Sequence, residues 1–297
     1  MNAFIRQWVS IPIVLVVVLL ARAGDVVAAE TELTVQLRRQ VESPQGSKRF
    51  VEQIKTAAWP AKQTAIVICD MWDDHYCRAS ASRVAEMAPH MNRVIGQARD
   101  RGVLIIHCPS GCMDKYEGSP QRALARQAPK VETLVPLKNW CYLDDKHEPP
   151  LPIEDSEPCE DTLPREKVRF YTRQHLALEI MPPDAITDSA EAYYLMKQRH
   201  IKHVIVMGVH TNMCVMGRPF GIRQLTYQGM DVVLMRDMTD CMYNPAQKPY
   251  VDHFTGLDLI IGHIEKYWCP TITSADILGG KPFRFAADAR PVPAPPQ

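Results

Sequence analysis

Apolar residues along this chain fall into short unbroken runs and longer stretches spaced at three and four. Ala65 to Cys69 (AIVIC), Val103 to His107 (VLIIH), Val168 to Thr172, His203 to Met207 (HVIVM) and Asp231 to Met235 (DVVLM) read as strands. Near-continuous apolar runs of this length mark strands buried on both faces, as in a parallel sheet. Between them Met87, Met91, Val94, Ile95 and Ala98 recur at helical spacing, which predicts a helix from Val84 to Arg101, ended by Gly102. Ser189 to Arg199 and Phe254 to Tyr267 read as further helices, and Gly208 to Gly229 as a loop passing into one. Thr271 begins a last short connection to Ile277 and Leu278. Strands alternating with helices predict an α/β fold, a three-layer α/β/α domain with a mainly parallel central sheet.

Three stretches break this rhythm. Leu33 to Ala58 has no strong periodicity, so residues 30–63 read as an N-terminal extension lying on a domain of residues 64–280. Residues 110–165 contain Pro149, Pro150, Pro152 and Pro158, which argue against regular structure. So long a connection serves either as a lid or binding surface, or as a surface flap held by a disulfide. From Lys281 the chain turns polar and Pro-rich, and residues 281–297 read as a disordered tail.

The apolar run Ile11 to Ala21 (IPIVLVVVLLA) follows Arg6 and precedes Val27-Ala28-Ala29, small residues suited to a signal peptidase. Residues 1–29 therefore read as a signal peptide cleaved before Glu30, with an uncleaved anchor as the alternative. The expected location is the bacterial periplasm or the medium. Composition narrows the partners. The 34 basic and 34 acidic side chains balance, and no basic stripe points to nucleic acid. A small-molecule substrate is expected, and a homo-oligomer is compatible.

Nine cysteines, at 69, 77, 108, 112, 141, 159, 214, 241 and 269, leave at least one thiol unpaired within the chain. Cys141 and Cys159 bracket the Pro/Asp-rich part of the long loop and are the pair most readily bridged. The spacing of Cys108 and Cys112 differs from the two-residue separation of redox motifs.

Ligands in a parallel α/β sheet bind at the carboxyl ends of the strands. Asp70, His107, Arg173, the Gly208 to Cys214 loop and Asp237 all lie at or just past such ends. The sharpest local pattern is GVHTNMCV at 208–215, which sets Cys214 where a helix begins. A thiol there is exposed to the helix dipole and backbone N–H groups, which favour thiolate and could receive a developing oxyanion. The alternative is a small buried core cysteine.

Taken with VICDMW at 67–72, this pattern resembles the isochorismatase-like hydrolases, which include nicotinamidases and N-carbamoylsarcosine amidase. The resemblance covers roughly residues 64–278. It implies Cys214 as nucleophile and Asp70 as the base that activates it. The family's catalytic lysine has no match. Arg173 occupies the nearest place, where it would supply fixed positive charge but could not shuttle a proton. The resemblance further implies a cis peptide at Val209–His210 and an oxyanion hole built from the N–H groups of His210 and Cys214. Trp72, His210 and His107 are the candidate substrate-binding residues. The Asp-x-His metal pair of nicotinamidases is missing, and Asp73, Asp74 and His75 are expected to start a helix, so neither metal nor cofactor is expected. The function implied is hydrolysis of a small amide through a Cys thioester. The alternative is an inactive exported binding or assembly protein that keeps the fold.

Overall fold

The computed structural model describes residues 31–291. The signal peptide expected over 1–29 lies outside the described residues, and no helix within them is long and apolar enough to cross a membrane. Eight strands form one sheet: β1 (Glu32–Glu42), β2 (Phe50–Pro60), β3 (Thr64–Cys69), β4 (Leu104–Cys108), β5 (Ala185–Ile186), β6 (His203–Val209), β7 (Asp231–Asp240) and β8 (Thr271–Ile272). Their order is β2-β1-β8-β7-β6-β3-β4-β5, parallel from β8 to β5 and antiparallel at β1 and β2. The helices are α1 (Arg78–Asp100), α2 (Pro120–Arg126), α3 (Glu191–Gln198), α4 (Cys214–Gly217), α5 (Ile222–Tyr227), α6 (His253–Tyr267) and α7 (Ala275–Leu278).

Period-two alternation within β3 builds the two sides of the core. Ala65, Val67 and Cys69 face a cluster with Tyr193 and Leu195 of α3, Leu225 of α5 and Ile260 and Ile264 of α6. Ile66 and Ile68 face Met87, Met91, Val94 and Ile95 of α1, with Ile277 of α7. Helices thus cover both faces, and the three-layer α/β/α arrangement follows because a strand apolar on both sides must be buried on both sides.

Three sequence expectations are corrected. The stretch expected to lie on the domain as an extension is instead a hairpin added to the sheet, with β1 and β2 paired from Glu32↔Pro60 to Glu42↔Phe50. Leu33, Val35 and Leu37 alternate inward onto the α1 side of the core with Trp59. Most other side chains of the hairpin are exposed or only partly buried, so its apolar pattern is short. Val168 to Thr172 is not a strand. The place beside β4 is taken by the two-residue β5, and the segment's neighbour Gln174 makes only an isolated bridge to Trp72. The start of the Pro-rich tail is packed: Phe285 stacks on Phe254 at 5.5 Å, and the Phe283 N–H donates to Asp237 at 2.9 Å.

The 110–165 connection holds a 3-10 turn at Met113–Tyr116 and one short helix, α2, capped by the Ser119 hydroxyl, and is otherwise irregular. Polar contacts dock it. Buried Glu148 accepts from Arg223 Nε, His263 Nε2 and Trp268 Nε1, each at 2.7 Å. Gln224 and Gln228 of α5 and its C-cap accept from the N–H groups of Lys138 (2.8 Å) and Leu134 (2.9 Å). Asp155 accepts from Asn212, two residues before Cys214.

Candidate active site

Close approach of two strands assembles the site. Gly208 in β6 has φ +109°, and a Cβ there would stand 2.0 Å from the carbonyl oxygen of Cys69. Only glycine allows that contact. It brings the end of β6 against the end of β3, and so the Cys214 loop against Asp70.

Asp70 is fully buried in a left-handed backbone conformation (φ +46°), which Asp tolerates better than most residues. One carboxylate oxygen accepts from the Ser110 N–H at 2.8 Å and the other from Arg218 Nε at 3.3 Å. Burial pushes its carboxyl above the ordinary value, opposed by Arg218, the Cys214 thiol and Ser110. Cys214 opens α4 and is 8% exposed. Burial and then the charge of Asp70 push its thiol far up, against the pull of Arg218. The expectation that a helix start would favour thiolate is therefore corrected for the resting site. α4 spans four residues, and its short dipole is outweighed by desolvation. Burial and Asp70 thus disfavour the thiolate at rest, and the sulfur can attack only as its proton leaves.

The cation beside Asp70 is Arg218, not Arg173. The Arg173 carbonyl accepts from the Asp73 N–H, its own N–H donates to the Asp73 carboxylate, and it lines a separate cleft of about 280 Å³ with Lys115, Tyr116 and Glu179. With no strand at 168–172, nothing carries Arg173 to a strand end next to β3. Arg218 follows Cys214 by four residues, the spacing that puts two side chains on one helical face, and that was the signal in the sequence. Its guanidinium lies 5.4 Å from the Trp140 ring centroid, and the same indole fills the space beside Gly217, 2.7 Å from where a Cβ would be. Trp140 belongs to the long connection, which therefore covers the cation of the site.

Val209–His210 is cis. The N–H groups of His210 and Cys214 donate to no backbone or side-chain acceptor among the described residues. The His210 ring meets Ser80 of α1 at 2.5 Å, and burial pushes its imidazole down to about 3, so it is neutral. Trp72 donates to the Ser110 carbonyl at 3.1 Å and stacks on Tyr171 at 4.2 Å. Asp70, Trp72, His75, Ser80 and His210 line one crevice, too narrow to admit a water molecule. Ser80, Ser110, Trp140 and Tyr171 escaped sequence reasoning, because irregular or distant segments deliver them.

His107, expected near substrate, is turned away. Parity along β4 puts it on the α1 side of the sheet, fully buried, 3.0 Å from Gln174 and 3.1 Å from Asp184, which also pairs with Arg99. It positions structure rather than substrate. Asp73, Asp74 and His75 diverge: Asp73 holds the Thr172 backbone, Asp74 pairs with Arg165 at 2.7 Å, and His75 accepts from the Cys77 N–H. They do not start the helix either, since α1 begins at Arg78. The acidic, cysteine and histidine side chains of Asp240, Cys241 and His253 do converge, but Arg83 already neutralises Asp240 at 2.7 Å.

Residues 64–248 match the family model described as Isochorismatase domain. Among solved structures, the chain is similar to a cysteine hydrolase from Pseudomonas syringae pv. phaseolicola 1448A, with 15% identity over 74% of this chain and 93% of that one (TM-score 0.45). It is similar to an isochorismatase family protein from Burkholderia thailandensis (14% identity, 73% and 94% covered, TM-score 0.40). It is also similar to an isochorismatase from Pseudomonas putida KT2440 (11% identity, 73% and 91% covered, TM-score 0.44). No curated protein matches it.

Proposed function

This chain belongs to the isochorismatase family of hydrolases, and on that premise we propose that it cleaves the C–N bond of a small-molecule amide through a thioester on Cys214. The observation that carries the reading is the buried cluster of Asp70, Arg218 and Cys214 at the carboxyl ends of β3 and β6. Asp70 takes the thiol proton, and the sulfur attacks the carbonyl carbon. The free N–H groups of His210 and Cys214 hold the oxyanion. Asp70 returns the proton to the leaving amine, then helps water open the thioester. Arg218 favours the ionised form of Asp70 against its burial and stabilises the thiolate as it forms. Its guanidinium holds its proton throughout, so its part is electrostatic.

The test is release of amine from a panel of small amides, with hydroxylamine present to trap an acyl-enzyme. Cys214→Ala is expected to abolish turnover and the trapped product, and full turnover in that variant would overturn the covalent mechanism. The pH profile adds a second check. Asp70 acts as a base only when ionised, and burial raises its carboxyl. Activity should therefore fall on acidification at a pH above the ~3.9 of an exposed aspartate.

A second reading, a binding protein of the same fold without turnover, is favoured by the cation beside Asp70 being an arginine, which cannot shuttle a proton. The two readings part on the panel: tight binding with no amine released from any amide would favour the second. Export remains part of the proposal, resting on residues 11–29. Mass spectrometry of protein from the native host should find Glu30 as the first residue.

A further inference from the structure

The cysteine pairing expected from the sequence does not form. Cys141 donates its thiol to the Gln224 side chain at 3.4 Å, and its own N–H donates to the Gly217 carbonyl at 2.7 Å. Cys159 lies elsewhere, at the N-terminus of α1. There the sulfurs of Cys77 and Cys159 and a carboxylate oxygen of Asp161 all stand within 4.8 Å of one another. Cys77 is the residue that precedes α1, and it is buried; Cys159 is half-buried and reachable from solvent.

The Cys77 thiol donates to Asp161 at 3.7 Å, and bonds that do not involve sulfur also hold the two chain segments together. Asp161 accepts from the backbone N–H groups of Arg78 at 2.7 Å and Ala79 at 3.0 Å, capping α1. Glu160 pairs with Arg83 one turn further along, and Asn244 donates to the Cys159 carbonyl at 3.0 Å. The thiols are thus brought together by the fold, and closing a bond between them asks for side-chain adjustment rather than refolding. A metal is the other chemistry for two thiols and a carboxylate. Both oxygens of Asp161 are already engaged by helix N–H groups, so a metal would have to share its ligand with the helix cap.

We propose that Cys77 and Cys159 are a redox pair that forms a disulfide, clamping the end of the long connection to the helix that holds His210 through Ser80. The oxidant is a low-molecular-weight or protein disulfide. The thiolate of one cysteine attacks it, forming a mixed disulfide and expelling one thiol. The second cysteine then attacks the protein-side sulfur and expels the other thiol. Two protein S–H bonds are lost, one S–S bond is formed, and the oxidant leaves as two thiols. Burial pushes the Cys159 thiol up to about 12, so its exchange is slow near neutrality.

The full chain, reduced and then incubated with glutathione disulfide at mildly alkaline pH, tests this. Peptide mapping without reductant should recover a Cys77–Cys159 linked peptide. The link closes a loop of roughly 80 residues, so Tm should rise by about 5–15 °C over the reduced protein. Cys159→Ser and Cys77→Ser should each lose that rise. Because the wild type is compared with itself, the result survives if a variant folds poorly. Recovery of both thiols as alkylated cysteines after incubation would overturn the proposal, as would Cys159 linked to any other cysteine. Stoichiometric zinc that survives purification and is lost in Cys77→Ser would overturn it in favour of a metal site.

Discussion

The sheet ends that carry Asp70 and Cys214 are buried, whereas the long connection beside them is largely exposed, and the two are held by different means. Around β3 and β6 the chain is held by alternating apolar side chains packed on both faces, with polar groups appearing only at the strand ends. Between residues 127 and 165 there is no regular element. Hydrogen bonds to single polar side chains, above all Glu148 and Asp161, anchor the chain there. The first region resists change everywhere and fails at contacts of closest approach. The second tolerates change along most of its length and depends on a few anchors, because a buried charge costs much more once its partners are removed.

The largest expected effect is at the strand contact. In Gly208→Ala the new Cβ meets backbone rather than a flexible side chain, and φ is unfavourable as well. A loss of about 4 kcal/mol or more, or failure to fold, is expected in urea denaturation. A near-normal midpoint would mean that β3 and β6 are not locked together as described.

Glu148→Ala probes the other region. It leaves Arg223 and His263 facing a space without their anion, and should cost about 3–5 kcal/mol. Limited proteolysis should then cut between residues 127 and 165 before the sheet is attacked. Cleavage appearing first in the β1–β2 hairpin would show that the connection does not hang on this anchor.

The third prediction separates the two arginines. Arg218→Met removes the only cation paired with Asp70 among the described residues, and kcat/KM should drop about a hundredfold. Arg173→Met should stay within about threefold of wild type, since its side chain lines a different cleft. The rate of Cys214 alkylation by iodoacetamide gives the same comparison without knowledge of the substrate. Equal effects of the two changes would return Arg173 to the site.

Much of the first region was legible beforehand. Five-residue apolar runs located β3, β4, β6 and β7, and the placement of polar residues just past their ends put Asp70 and Cys214 at the site. Val168 to Thr172 misled because a short β-rich string reads alike whether it joins a sheet or lies over one. Arg173 stands where the resemblance puts the family's lysine only if that stretch is a strand, so the error passes from the element to the residue. Arg218 was legible in principle, four residues past the nucleophile, but choosing it required knowing that α4 turns it toward Asp70. The hairpin's pattern was short: only Leu33, Val35 and Leu37 alternate inward, and β2 is exposed along most of its length.

By itself the sequence determined the layered α/β architecture, the two apolar faces of the sheet, and the meeting of an aspartate strand with a cysteine loop. Those follow from local periodicity and from the rule that strand ends gather what lies past them. Only the tertiary structure decided which cation joins Asp70, which way His107 turns, that burial disfavours the Cys214 thiolate, and that Cys159 faces Cys77 rather than Cys141. Each of these depends on burial and on contacts between segments far apart in the chain. Desolvation and Coulomb energies are set by three-dimensional neighbours, and no local pattern in the sequence encodes them.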